Sequence, residues 1–109
     1  MMNKSLHEVC AETGATRRAV QGYEKAGLVA AIGKNKYGHL LYDAAALERI
    51  RTIRFLQQIG FSIREIQLLI DAPAAQRKRA LCRQAELLRA RRREIAALLD
   101  QLERWIAAL

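Results

Sequence analysis

The chain has 109 residues, 51% of them apolar, with a net charge of +8 and a pI near 10.2. That is one domain's worth with an extension: enough apolar surface for a modest core, too much for a disordered chain, and a base excess that suits a polyanionic partner. Two distant cysteines, Cys10 and Cys82, without C-x-x-C spacing exclude a disulfide scaffold and a zinc site, and no run approaches the ~18 apolar residues that span a bilayer.

A single Pro, six Gly and many Ala and Leu predict an all-α protein with at most a small β-hairpin. Ser5-Leu6-His7-Glu8 has the form of a capping box, which starts a first helix over 5–12. Leu6, Val9 and Cys10 stand at i, i+3 and i+4 on one apolar stripe, so Cys10 reads as a small buried hydrophobe and His7 as a surface residue beside it.

The stretch from Thr13 to Leu28 follows after a turn of about three residues, which is helix-turn-helix spacing. Gly14 lies in the turn, Thr16 caps the second helix, and Gly27 closes it. On a helical wheel Ala19, Val20, Tyr23 and Ala26 share the side for burial, while Arg17, Arg18, Gln21 and Lys25 share the other. Arg suits guanine edges and phosphates, and Gln can pair with adenine, so the outward side has the chemistry of a major-groove reader. The plain alternative is a solvated basic face.

From Val29 to Tyr42, two glycines, an Asn and two lysines lie between short apolar runs, the pattern of a hairpin. Beside a helix-turn-helix such a hairpin is a wing, and Lys34, Lys36 and Tyr37 are placed to lie along a phosphate backbone. A solvated basic loop is the alternative. Asp43 caps a third helix running to about Ile59, with Tyr42 and Leu47 as a hydrophobic staple and Leu47, Ile50, Ile53 and Leu56 inward. Arg49, Arg51 and Arg54 take its remaining surface. Ser62 and Glu65 form a second capping box, opening a fourth helix that ends near Asp71 and offers Arg64 to a phosphate at its start.

No Gly or Pro interrupts residues 74–109, which permits one continuous helix. Leu81, Ala85, Leu88, Arg92, Ile95, Leu99, Leu102, Ile106 and Leu109 alternate by four and three, a heptad seam broken only by Arg92. Such a helix has no core of its own and calls for another chain. Arg89, Arg91, Arg92 and Arg93 read as a solvated face with Glu86, Glu94 and Asp100 as partners. Trp105 either fills space near the end of this arm or lines a small-molecule pocket. Most of the base excess lies here: residues 1–73 hold ten Lys or Arg against seven acids, and residues 74–109 hold nine against four.

The motifs T-G-A-T-R-R, Y-E-K-A-G-L, Y-G-H-L-L-Y-D and I-R-F-L-Q-Q-I-G-F-S-I-R-E-I, in that order over about two thirds of the chain, resemble the DNA-binding region of MerR-type transcriptional regulators. The resemblance implies a winged helix-turn-helix head over 1–73 and a coiled-coil dimerisation helix over 74–109. It further implies a homodimer joined by an antiparallel coil, gripping an inverted-repeat promoter operator of double-stranded DNA and distorting it, with RNA polymerase as a further candidate partner. The expected DNA contacts are Thr16, Arg17, Arg18, Gln21, Tyr23 and Lys25 on the second helix, Lys34, Lys36, Tyr37, His39 and Tyr42 on the wing, and Arg64.

Two departures stand out. The family commonly reads R-Y-Y-E where this chain has Gln21-Gly22-Tyr23-Glu24, and Leu40 occupies a wing position often held by Arg. With no Cys after the long helix and the coil reaching Leu109, no metal, cofactor or separate effector domain is expected, and an effector-free regulator, a ligand held between coil and head, and a chain cut short all stay open. The two histidines lie in no catalytic motif, so no catalytic residue is assigned and an enzyme is the least supported class. An excisionase-like architectural DNA-bending factor and a coiled-coil adaptor are the competing readings. No leader peptide is expected, and the expected location is the cytoplasm.

Overall fold

Local chemistry fixes where the helices begin. In the computed structural model, which describes residues 3–109, the chain forms two compact units, one ending at Asp71 and one spanning Ala72–Leu109. The first unit runs β1 (Lys4–Ser5), α1 (Leu6–Thr13), α2 (Arg17–Lys25), β2 (Gly33–Lys34), β3 (Leu40–Tyr42), α3 (Ala44–Gln58) and α4 (Ile63–Leu69). The second is the helix α5 (Ala74–Ala107).

All four helices of the first unit start on a side-chain cap. Ser5 and Glu8 close a reciprocal capping box on α1, Ser62 and Glu65 another on α4, and Thr16 and Asp43 accept from the amides of Ala19 and Ala46. Each cap satisfies an amide that the helix itself leaves without a partner. The amides and hydroxyls of Ser5 and Ser62 hold the Glu8 and Glu65 carboxyls below their ordinary ionisation range. A carboxylate stabilised in the folded state adds stability above its unfolded value, and that stability is lost as pH falls through the lowered folded value. The melting temperature is therefore expected to drop on acidification below about pH 4.5. A Glu8→Ala, Glu65→Ala double variant is expected to melt earlier at neutral pH and to lose less on acidification. Parallel acid profiles by circular dichroism would remove the carboxylates from that dependence.

The core lies where α1, α3, α4 and β3 meet, with Val9, Val20, Tyr42, Ile50, Ile53 and Ile66 almost fully buried. The four inward residues expected of α3, Leu47, Ile50, Ile53 and Leu56, are all buried. The hairpin expected between the second and third helices is part of a larger sheet. β1 pairs antiparallel with β3 (Lys4 opposite Tyr42, Ser5 opposite Leu41), giving a three-stranded order β1-β3-β2. Cys10 is half-buried rather than enclosed.

Arginines expected to be plain surface residues tie the unit together. Arg49 donates to the Leu28 carbonyl at 2.9 Å and forms a two-pronged pair with Asp71 at 2.9 and 2.8 Å. Arg54 donates to the Thr13 carbonyl at 3.0 Å, satisfying an acceptor at the end of α1. Gly14, in the turn between α1 and α2, has φ 74°, and a Cβ there would lie 3.0 Å from the Arg54 guanidinium. Both its conformation and that approach favour glycine.

α5 starts after Pro73 with no side-chain cap and has no buried residue. Among the described residues, no helix is long and apolar enough to cross a membrane.

Candidate nucleic-acid interface

Packing of α2 decides which of its side chains face outward. Val20 and Tyr23 are buried, and Arg17, Arg18, Gln21 and Lys25 are exposed, as the wheel predicts. Gly27, with φ 76°, lets the chain leave α2 in the left-handed conformation. The free side of α2 thus carries two guanidiniums, an amide and an ammonium on about two turns of helix. These are hydrogen-bond donors long enough to reach base edges.

The wing is held by Asn35. Its side-chain oxygen accepts from the amides of Tyr37 at 2.9 Å and His39 at 3.0 Å, and its backbone bonds to His39 and Gly38 close the turn. Gly38 supplies the positive φ of 79° that this turn needs. Lys34, Lys36, Tyr37 and His39 all project into solvent. The Lys36 ammonium lies 5.1 Å from the centre of the Tyr37 ring, and Tyr37 is 72% exposed. Nothing in the sequence reading singled out Asn35, although an Asn before a Gly-containing turn is a recognised signal for self-bonding.

Three expected contacts also serve the fold. Tyr23 is 3% exposed and donates its hydroxyl to Gln57 Oε1 at 2.6 Å, while Tyr42 is 1% exposed and donates to Glu24 Oε1. Burial pushes both phenols upward in ionisation, and for Tyr42 the Glu24 carboxylate adds to it. Both rings are core residues whose hydroxyls are engaged within the head. The Thr16 hydroxyl is committed to capping α2. Arg64 stands exposed in the first turn of α4.

On α5, Leu81, Leu88, Arg92, Ile95, Leu99, Leu102, Ile106 and Leu109 are exposed and Ala85 is half-buried. Leu98 and Trp105, also exposed, widen the apolar face beyond the seam. Among the described residues, no group of His, Cys, Asp and Glu could hold a metal ion.

Residues 4–73 match the family described as MerR HTH family regulatory protein, and residues 47–109 match the family described as MerR, DNA binding. The chain belongs to the MerR family. It is 37% identical over 90 residues to the HTH-type transcriptional activator TipA of Streptomyces coelicolor, an alignment covering 83% of this chain and 36% of that protein. The chain thus spans about a third of the length of curated MerR-type relatives such as TipA. Its fold is similar to that of MtaN, the N-terminus of the Bacillus subtilis multidrug transporter activator, with a TM-score of 0.71 and 28% identity over 94% of this chain and 97% of that one. It also matches the fold of HiNmlR, a MerR family regulator lacking the sensor domain and bound to promoter DNA, with a TM-score of 0.76 and 20% identity, covering 97% and 89% of the two chains.

Proposed function

We propose that this MerR-family chain is a sequence-specific transcriptional regulator that binds an inverted-repeat promoter operator as a homodimer and distorts it. The observation that carries the reading is the outward face of α2, with Arg17, Arg18, Gln21 and Lys25 exposed together on the second helix of a helix-turn-helix. Lys34, Lys36, Tyr37 and His39 on the wing, and Arg64 on α4, supply backbone contacts in this reading. The promoter complex of HiNmlR gives the same fold a DNA-bound precedent.

Dimerisation is assigned to α5. Its seam residues need a cover that the helix lacks, and its charge favours an antiparallel mate: residues 74–93 hold eight Lys or Arg and one acid, whereas residues 94–109 hold three acids and one Arg. Antiparallel packing sets the basic half of one helix beside the acidic half of the other. A two-fold dimer then implies a near-palindromic site, and bending or untwisting between half-sites adds specificity. The reading includes a cytoplasmic location, RNA polymerase as a neighbour at the promoter, and neither catalysis nor a cofactor.

Selection of bound duplexes from a random pool, followed by sequencing, tests it. An inverted repeat of fixed spacing is expected. Arg17→Ala and Arg18→Ala are each expected to cost about 1 to 3 kcal/mol on the selected site and less on random duplex. Equal losses on both would leave phosphate contact and remove base readout, and enrichment of bendable DNA without a repeat would favour an architectural role.

A further inference from the structure

Folding brings together two histidines that lie 32 positions apart in the chain. Beside the recognition face, Ser5, Leu6 and His7 at the start of α1, Arg17 at the start of α2, and Gly38, His39 and Leu40 of the wing line a cleft of about 330 Å³. Arg17, His7 and His39 therefore line the same cleft from three separate elements, and no Asp or Glu is among its described lining residues. The nearby acids are engaged elsewhere: Glu8 accepts from the Ser5 amide at 3.1 Å, and Glu12 pairs with Lys4 at 2.8 Å. Pairing of β1 with β3 is what carries the start of α1 to the wing, so the third strand builds the cleft.

We propose that this cleft seats a backbone phosphate of duplex DNA, with His7 as a contact alongside Arg17 and His39. The inference rests on the reading that α2 enters the major groove. A sugar-phosphate strand is the ridge between neighbouring grooves, so a duplex engaged by both α2 and the wing must pass a strand between them, which is where the cleft lies. Phosphate oxygens accept well from guanidinium and from protonated imidazole. An imidazole N–H donates to a phosphate oxygen, so His7 adds one contact to the seat.

The test is duplex binding by the full chain, followed by fluorescence anisotropy across a salt series, for wild type, His7→Ala and His7→Arg. His7→Ala is expected to bind several-fold more weakly, and His7→Arg is expected to restore binding with a log K against log salt slope steeper by about 0.9 than that of His7→Ala, as for one added phosphate contact. Equal affinities and slopes for the three proteins would remove His7 from the interface, and a loss that His7→Arg does not restore would reduce it to a structural role. A second arm measures inorganic phosphate binding by wild type and His7→Ala. Phosphate binding that is lost in His7→Ala while duplex affinity stays unchanged assigns the cleft to free phosphate and overturns the proposal. A wild-type chain that binds no duplex at low salt overturns the DNA reading itself, an outcome separate from failure of the cleft alone.

Discussion

Leu99→Glu is expected to convert the protein to monomers and to weaken operator binding by about two to four orders of magnitude. Leu99 sits near the middle of the longest apolar run of the α5 seam, with Ile95 and Leu102 one turn away and Ile106 two turns away on the same face. It is half exposed in the single chain, so the substitution costs an isolated helix little. Between two helices, the carboxylate would have to leave water without a partner, and the pair would come apart rather than bury it. Each head would then meet its half-site alone, losing the gain of roughly 10²- to 10⁴-fold that linkage confers. Helix content should also fall, because a long helix without a mate depends on propensity alone. Sedimentation equilibrium combined with anisotropy on the selected duplex reads both effects. An unchanged dimer mass would refute the seam.

A second large effect is expected inside the head. Ile53 is fully buried in the middle of α3, the helix that touches α1, α4 and β3. Ile53→Ala removes buried methyl and methylene groups and leaves a cavity that three neighbouring elements hold open, at a cost of about 2 to 5 kcal/mol. A unit ending at Asp71 has a total stability of only about 4 to 11 kcal/mol on per-residue averages, so one substitution removes a large part of it. The melting temperature of the head is expected to fall by at least about 8 °C. Calorimetry separates this from any transition of α5. A shift of only a degree or two would mean that the core collapses around the gap.

Side-chain chemistry within four residues was readable directly. The capping boxes at Ser5 and Ser62, the caps at Thr16 and Asp43, and the buried stripe of α3 all depend on neighbours in sequence, and the structure has each of them. Contacts made over long separations were not readable. The pairing of Lys4 with Tyr42 involves two residues of backbone with no strand-like pattern of their own, so β1 escaped notice. Arg49 and Arg54 looked like surface charge because their acceptors, the carbonyls of Leu28 and Thr13, belong to distant helix ends.

The tyrosines teach a different lesson. The resemblance to MerR-type regulators drew Tyr23 and Tyr42 toward DNA, but the wheel already set Tyr23 beside Val20 on the inward side, and Tyr42 also served as a staple residue. Both rings are buried, where the wheel and the staple place them. His7 is the converse case. Its position on an exposed helix turn gave no hint of function, and only the three-dimensional approach of α1 to the wing sets it beside His39 and Arg17.

The Asn35 turn bears on the entropy of association. A loop that samples many conformations in solution surrenders them on meeting a ligand, at roughly 0.5 to 1.5 kcal/mol for each rotamer-rich side chain immobilised and more for ordered backbone. Here the Asn35 oxygen already binds two wing amides, and Lys36 already rests over Tyr37. Much of that ordering is complete before any duplex arrives. In the proposed DNA-bound reading, Asn35 would favour binding by ordering the wing of the free protein in advance.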